Sequence, residues 1–197
     1  MRKIGLFFLM QVFVLGLYAQ KIEVTSGTFD FLKGQKELKV SYDYSNMSVG
    51  KFDKEEDYVA EKAADYNSKE AGKGDKWKEA WVADRAGRYE PKFELLFNEN
   101  GKGISCKQSA NAEYEMIVHT TFVEPGFNVG VMRKPAYLNA EIKFVNISTG
   151  KEEALLAVKN CPGRDAAGFD FDTGYRIEEG YAKLGKSTAA FLNKKLK

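Results

Sequence analysis

Alternation of apolar and polar positions is clearest in residues 136–147. Ala136, Leu138, Ala140, Ile142 and Phe144 share one parity; Tyr137, Asn139, Glu141 and Lys143 share the other. A period of two predicts a strand with one buried and one wet face. The turn-forming run Ser148-Thr149-Gly150-Lys151 follows, and Ala154, Leu156 and Val158 then resume the pattern. The two segments read as a hairpin. Upstream, residues 112–124 form a longer predicted strand. Tyr114, Met116, Val118 and Phe122 lie on one face, and Ile117, His119, Thr121 and Val123 on the other. That second face is only half polar, which predicts a cover over it. Pro125-Gly126 ends the strand, and residues 127–135 cross to the next one, giving a meander.

Near the start, Ile22 and Val24, then Phe29 and Phe31, mark a short strand with a bulge expected at Gly27. Leu38, Val40, Tyr42 and Tyr44 mark a second strand, and the two are expected to pair as a hairpin. The period then changes. Val59, Ala63 and Tyr66 follow helical spacing after Asp53, a candidate N-cap with Glu56 at the reciprocal position. A second helix from Asp75 carries Trp77 and Trp81 and should break at Gly87; a third, short helix opens at Pro91 with Phe93, Leu96 and Phe97. A short strand over residues 104–108 leads into the meander. The last element is a long helix, residues 174–195, with a stripe of Ile177, Tyr181, Leu184, Thr188 and Phe191. Gly180 and Gly185 within it predict close approach to the sheet, since each costs about 1 kcal/mol in helix propensity.

Strands before and after a helical crossover indicate an α+β fold. The expected sheet is mixed, mainly antiparallel, with five to six strands and the helices on one face. No linker or repeat divides residues 20–197, so they read as one domain.

The first nineteen residues do not belong to that domain. Arg2 and Lys3 precede an apolar run over residues 4–17, and Ala19 then meets the polar Gln20-Lys21. This is the layout of a secretory signal peptide, which implies a periplasmic or secreted protein. The run is short for a membrane span, and no later segment could cross a bilayer. Its removal changes the charge balance. The whole chain has 30 basic and 28 acidic residues; without Arg2 and Lys3 the mature part is formally neutral. A nucleic-acid partner thereby loses its electrostatic basis. The lysines near the C-terminus suit a helix end.

Export also bears on the two cysteines. An oxidising compartment permits a disulfide between Cys106 and Cys161, worth about 4 kcal/mol on the chain-entropy model. Two buried free thiols are the alternative.

Candidate chemistry is sparse. Asp172-Thr173-Gly174 matches the aspartic-protease triplet, but the sequence carries no second copy to share a proton. It reads better as a helix start capped by Asp172 or Thr173. Asp170, Asp172 and Gly174 hint at a calcium loop, but Tyr181 stands where the glutamate belongs. His119 is the sole histidine and has no nucleophile elbow beside it, so a structural role is expected. Gly72-Lys73-Gly74 and Gly101-Lys102-Gly103 lack phosphate-loop spacing. No metal or cofactor site is expected, and no catalytic residue. Two surfaces stand out instead. Trp77 and Trp81 are one helical turn apart and share a face; such a pair either completes a core or binds sugars, peptides or proteins. Phe127 and Met132 lie in a loop-like segment, where exposed apolar groups mark interaction sites.

The element order, with the strand Tyr114 to Val118 running to Glu124-Pro125-Gly126 and the final helix carrying Tyr181 to Lys186, resembles exported proteins of Gram-negative envelopes. More distantly it is similar in layout to the N-terminal domain of TolB and to curli-secretion and penicillin-binding-protein-activator lipoproteins. The chain lacks their lipidation cysteine and adds the Trp77/Trp81 helix. The resemblance implies a non-enzymatic binding or adaptor module with a protein partner in the envelope. The alternatives are a glycan or small-ligand binder using Trp77 and Trp81, and a periplasmic hydrolase.

Overall fold

The computed structural model describes residues 20–128, 132–164 and 172–197. The expected signal peptide, Val129, Val131 and Asp170 lie outside them. In chain order the elements are β1 (Lys21–Gly27), β2 (Glu37–Asp43), β3 (Ser48–Val49), α1 (Glu55–Lys69), α2 (Lys73–Asp84), α3 (Glu90–Asn100), β4 (Ser105–Lys107), β5 (Tyr114–Glu124), β6 (Phe127–Asn128), β7 (Arg133–Lys134), β8 (Tyr137–Asn146), β9 (Glu152–Pro162) and α4 (Thr173–Lys195). The fold is α+β. A mixed sheet runs β1-β9-β8-β5-β2-β4, and the two-residue β3 flanks β5. Among the described residues that makes seven strands. Each neighbouring pair along β1, β9, β8 and β5 is antiparallel, whereas β2 is parallel to both β5 and β4.

The meander over β5, β8 and β9 follows the predicted parity, up to one point. Met116, Val118, Ile142, Phe144, Leu156 and Val158 all face inward and are buried. A bulge between Thr120 and Phe122 then reverses the order in β5. Val123 becomes buried and Phe122 turns outward, the reverse of the sequence expectation, because one extra residue inverts a period of two. Helices α3 and α4 pack on each other and close the inner face with Phe93, Phe97, Tyr181, Leu184 and Leu192. The outer face carries no second layer among the described residues. Ile117 and His119 are half-buried by their neighbours on the sheet, and Lys39 pairs with Glu115 at 3.2 Å. His119 donates a ring N–H to the Ser45 carbonyl at 2.9 Å, the structural role expected for it.

Several local expectations are corrected. β1 and β2 do not form a hairpin. β1 joins β9 and β2 joins β5, on opposite sides of the meander. Phe29 and Phe31 are not in a strand. A 3-10 turn at Asp30–Leu32 swings Phe29 beneath α4, 5.6 Å from Phe144 and 5.6 Å from Phe191 in edge contacts. The bulge in β1 falls between Val24 and Ser26, one step before Gly27. Asp53 does not cap α1. The Glu55 N–H is taken instead by the Met47 carbonyl at 2.9 Å, and no side chain caps the helix.

Gly87 does not break the second helix. The chain runs from α2 into α3 through a π-helical turn, Arg85–Tyr89, with Gly87 exposed. Tertiary contacts hold that turn against glycine's low propensity. Tyr89 stacks on Tyr181 with centroids 5.0 Å apart and planes 2° from parallel. Arg85 grips the Glu55 carboxylate through one nitrogen, at 2.5 and 2.6 Å.

In α4 the predicted stripe is buried at Ile177, Tyr181, Leu184 and Thr188, but Phe191 is only half-buried. Asp172 caps the helix by accepting the Tyr175 N–H at 3.1 Å. Gly180 does meet the sheet: a Cβ there would lie 2.9 Å from Leu138 Cδ2. Gly185 meets α3 instead, where a Cβ would lie 2.3 Å from the Phe93 carbonyl oxygen.

Candidate functional site

α1 and α2 fold back on each other and stand beside the end of the sheet where β5 turns into β6. Between them lies a cleft of about 550 Å³, bounded on the helix side by Tyr58, Tyr66 and Trp77 and on the sheet side by Glu124 and Phe127. A second space of about 450 Å³ adjoins it and shares Tyr66, Trp77 and Thr173; Trp81, Asp84 and Asp172 line its far part.

The helix wall is an aromatic pile. Tyr58 meets Trp77 and Trp81 at 5.9 and 5.1 Å, Tyr66 meets Trp77 at 5.7 Å, and the two tryptophans lie 5.6 Å apart. Phe52 extends the pile to Tyr58 at 5.8 Å. The tryptophans differ in role. Trp81 is 6% exposed and donates its indole N–H to Glu55 Oε1 at 2.6 Å. Trp77 is half-buried and lines both spaces. Trp81 is therefore a core anchor, and Trp77 is the member of the pair that faces the cleft. Burial holds the Tyr58 phenol well above its ordinary pKa, so its ring enters the pile uncharged.

The opposite wall is set by a buried arginine. Arg176 of α4 donates Nε–H to the Pro125 carbonyl at 3.1 Å and an Nη2–H to the Thr173 hydroxyl at 3.1 Å. It thereby ties the β5–β6 turn to the start of α4. The turn itself needs glycine. Gly126 has φ +66°, and a Cβ would lie 2.5 Å from the Lys134 carbonyl oxygen. Its N–H donates to Glu124 Oε1 at 3.1 Å, and Lys134 pairs with the other oxygen. Phe127, the next residue, is 41% exposed at the rim; Met132, across the β6–β7 hairpin, is 62% exposed.

Thus Trp77 and Phe127, chosen from separate sequence segments, line one cleft. Met132 stands on the same hairpin but does not line it. Glu55, Arg85, Tyr58 and Arg176 were missed by sequence reading. Tyr58 precedes the expected stripe by one residue, and no periodic signal marks the others.

Most charged groups around the cleft are engaged with each other; Lys62 also lines it, and Arg176 is held by the Pro125 carbonyl and the Thr173 hydroxyl. Arg88 holds Asp84 at 3.0 Å and Asp172 at 2.7 Å. Burial pushes the Asp84 carboxyl above its ordinary value, against the pull of Arg88. Burial also raises Asp172, but Arg88 and the Tyr175 N–H outweigh it and leave that carboxyl below its ordinary value. Among the described residues no cluster of histidine, cysteine or carboxylates could hold a metal ion, and no helix is long and apolar enough to cross a membrane.

The cysteines are not a pair. Cys106 sits on edge strand β4 and Cys161 on β9, four sheet positions away. At strand spacing this is roughly 19 Å, far beyond disulfide reach. Both thiols are free and buried, and Cys161 donates weakly to the Gly180 carbonyl at 3.4 Å. The bridge considered from sequence is therefore not formed.

No family model matches the chain, and no curated protein matches it. Among solved structures, the PelC dodecamer from Paraburkholderia phytofirmans is similar at 12% identity, covering 85% of this chain and 98% of that one, with a TM-score of 0.36. A point variant of PelC from the same organism gives 10% identity with the same coverage and TM-score. Likeness at this level bears on neither function nor assembly.

Proposed function

We propose that the chain is an exported, non-catalytic binding or adaptor module of the cell envelope, with the aromatic cleft as its binding site. One observation carries this reading: half-buried Trp77 and rim-exposed Phe127 open onto the same space from opposite walls. A cleft of this size with aromatic walls suits a ligand or a segment of a partner. Binding is favoured over hydrolysis because the nearby carboxylates brace cations. Glu124 is held by Lys134, and Asp84 and Asp172 are both held by Arg88.

Export follows from the layout of residues 1–19. N-terminal sequencing of the protein from producing cells should begin near Gln20, and an intact Met1 in the cytosol would overturn this part. The binding role is tested by immobilising the mature chain and passing envelope extract over it. Trp77→Ala and Phe127→Ala should lose whatever the wild type retains, whereas Val82→Ala, on an exposed stretch of α2 outside the cleft, should keep it. Equal retention by all variants would place binding elsewhere.

A further inference from the structure

We infer, building on the binding role proposed above, that the cleft takes a neutral saccharide chain. Three features of the site point to this class of ligand. The first is shape. The two spaces of about 550 and 450 Å³ share Tyr66, Trp77 and Thr173, so they form successive parts of one wall and fit an elongated ligand better than a single compact one.

The second is the aromatic surface. Ring faces carry negative charge density, and the C–H faces of a pyranose are weakly positive and apolar. Trp77 on the helix wall and Phe127 on the rim offer such a ring aromatic surface within one space.

The third is charge. Lys51 pairs with Glu61 at 3.4 Å, Lys134 with Glu124, and Arg88 with Asp84 and Asp172; Lys62 and Arg176 also line the cleft, so five cations stand against four carboxylates. Paired carboxylates and cations keep spare lone pairs and N–H bonds but offer little net field. An anionic ligand would meet Lys62 and would otherwise have to displace a carboxylate from its cation. An apolar peptide anchor would bury those pairs without replacing their water, which is costly. Hydroxyl groups both donate and accept, so they satisfy such pairs without breaking them.

The test uses Trp77 as its own reporter. Acrylamide quenching is measured on the mature wild-type protein, whose Trp81 is buried and contributes little quenching, alone and with soluble envelope extract from the native host. Extract treated with protease, or depleted of acidic material on an anion exchanger, should shield Trp77 as well as untreated extract does. Extract oxidised with periodate, which cleaves vicinal diols, should not shield it. In Phe127→Ala the half-maximal extract concentration should rise about tenfold, the loss of one aromatic contact. Shielding that survives periodate but not protease overturns the saccharide and leaves the cleft as a protein-binding site. Shielding lost on the anion exchanger overturns the neutral character. Absence of shielding by untreated extract removes the binding role itself, and this inference with it.

Discussion

The indole N–H of Trp81 points at Glu55 Oε1, 2.6 Å away, and the same carboxylate is held by Arg85. This contact joins α2 to the first turn of α1 and fixes the angle at which Trp77 meets the cleft. Trp81→Ala should lower stability by about 3–5 kcal/mol, the cost of truncating a buried aromatic side chain. Trp81→Phe should cost less, about 1.5–3 kcal/mol for the lost bond to a charged acceptor. Urea unfolding measures both, and an unchanged midpoint for Trp81→Ala would show that the ring is not core.

Gly185 makes a prediction whose sign differs from helix propensity. Alanine should gain about 1 kcal/mol in an exposed helix interior. Here its Cβ would come within 2.3 Å of the Phe93 carbonyl oxygen, so α4 must move off α3. Overpacking of this kind costs about 1–3 kcal/mol, so Gly185→Ala should destabilise on balance. A rise in the thermal midpoint would mean that α3 and α4 are less closely packed than described.

The sequence was most legible where a period ran uninterrupted. Ala140, Ile142 and Phe144 announce β8 because alternation holds through the whole strand. Phe122 and Val123 were assigned to the wrong faces because a single bulge residue leaves no compositional trace. The pairing of β1 is hidden in the sequence for a different reason. Adjacency in sequence favours a hairpin, but β9 was the partner that the finished sheet left open. Gly87 predicts a break because propensity is local, whereas Tyr89–Tyr181 stacking and the Arg85–Glu55 pair are not. At the site, Trp77 and Phe127 were each recognisable as aromatic residues worth watching. Their convergence was not, since it depends on Arg176 tying the β5–β6 turn to a helix fifty residues away.

The thiols should be chemically quiet. Burial raises the Cys161 thiol to about 12 and moves Cys106 up as well. Neither should react with a disulfide reagent at neutral pH in the native protein, and both should react after denaturation. The intact mass should carry two free thiols. A mass lower by two hydrogens under non-reducing conditions would contradict the sheet order that separates them.

Asp172 links the start of α4 to Arg88, and its pH dependence has a definite sign. Its carboxyl is depressed in the folded chain, so its contribution is complete above the unfolded value of about 3.9 and is lost as pH falls through the lower folded value. Asp172→Ala should cost about 1 kcal/mol at neutral pH, as for a lost helix cap. The gap between variant and wild type should close below about pH 4. A gap that widened on acidification would reverse the assignment.

The binding role requires the cleft beside Trp77 to be open and to become occupied. Acrylamide quenching of the wild-type protein, whose Trp81 is buried, without and with envelope extract, reads this directly. Trp77 should be readily quenched in the free protein and shielded once extract is added. Protection in the free protein would make Trp77 ordinary core, and accessibility unchanged by extract would leave the cleft without a ligand; either result contradicts the assignment.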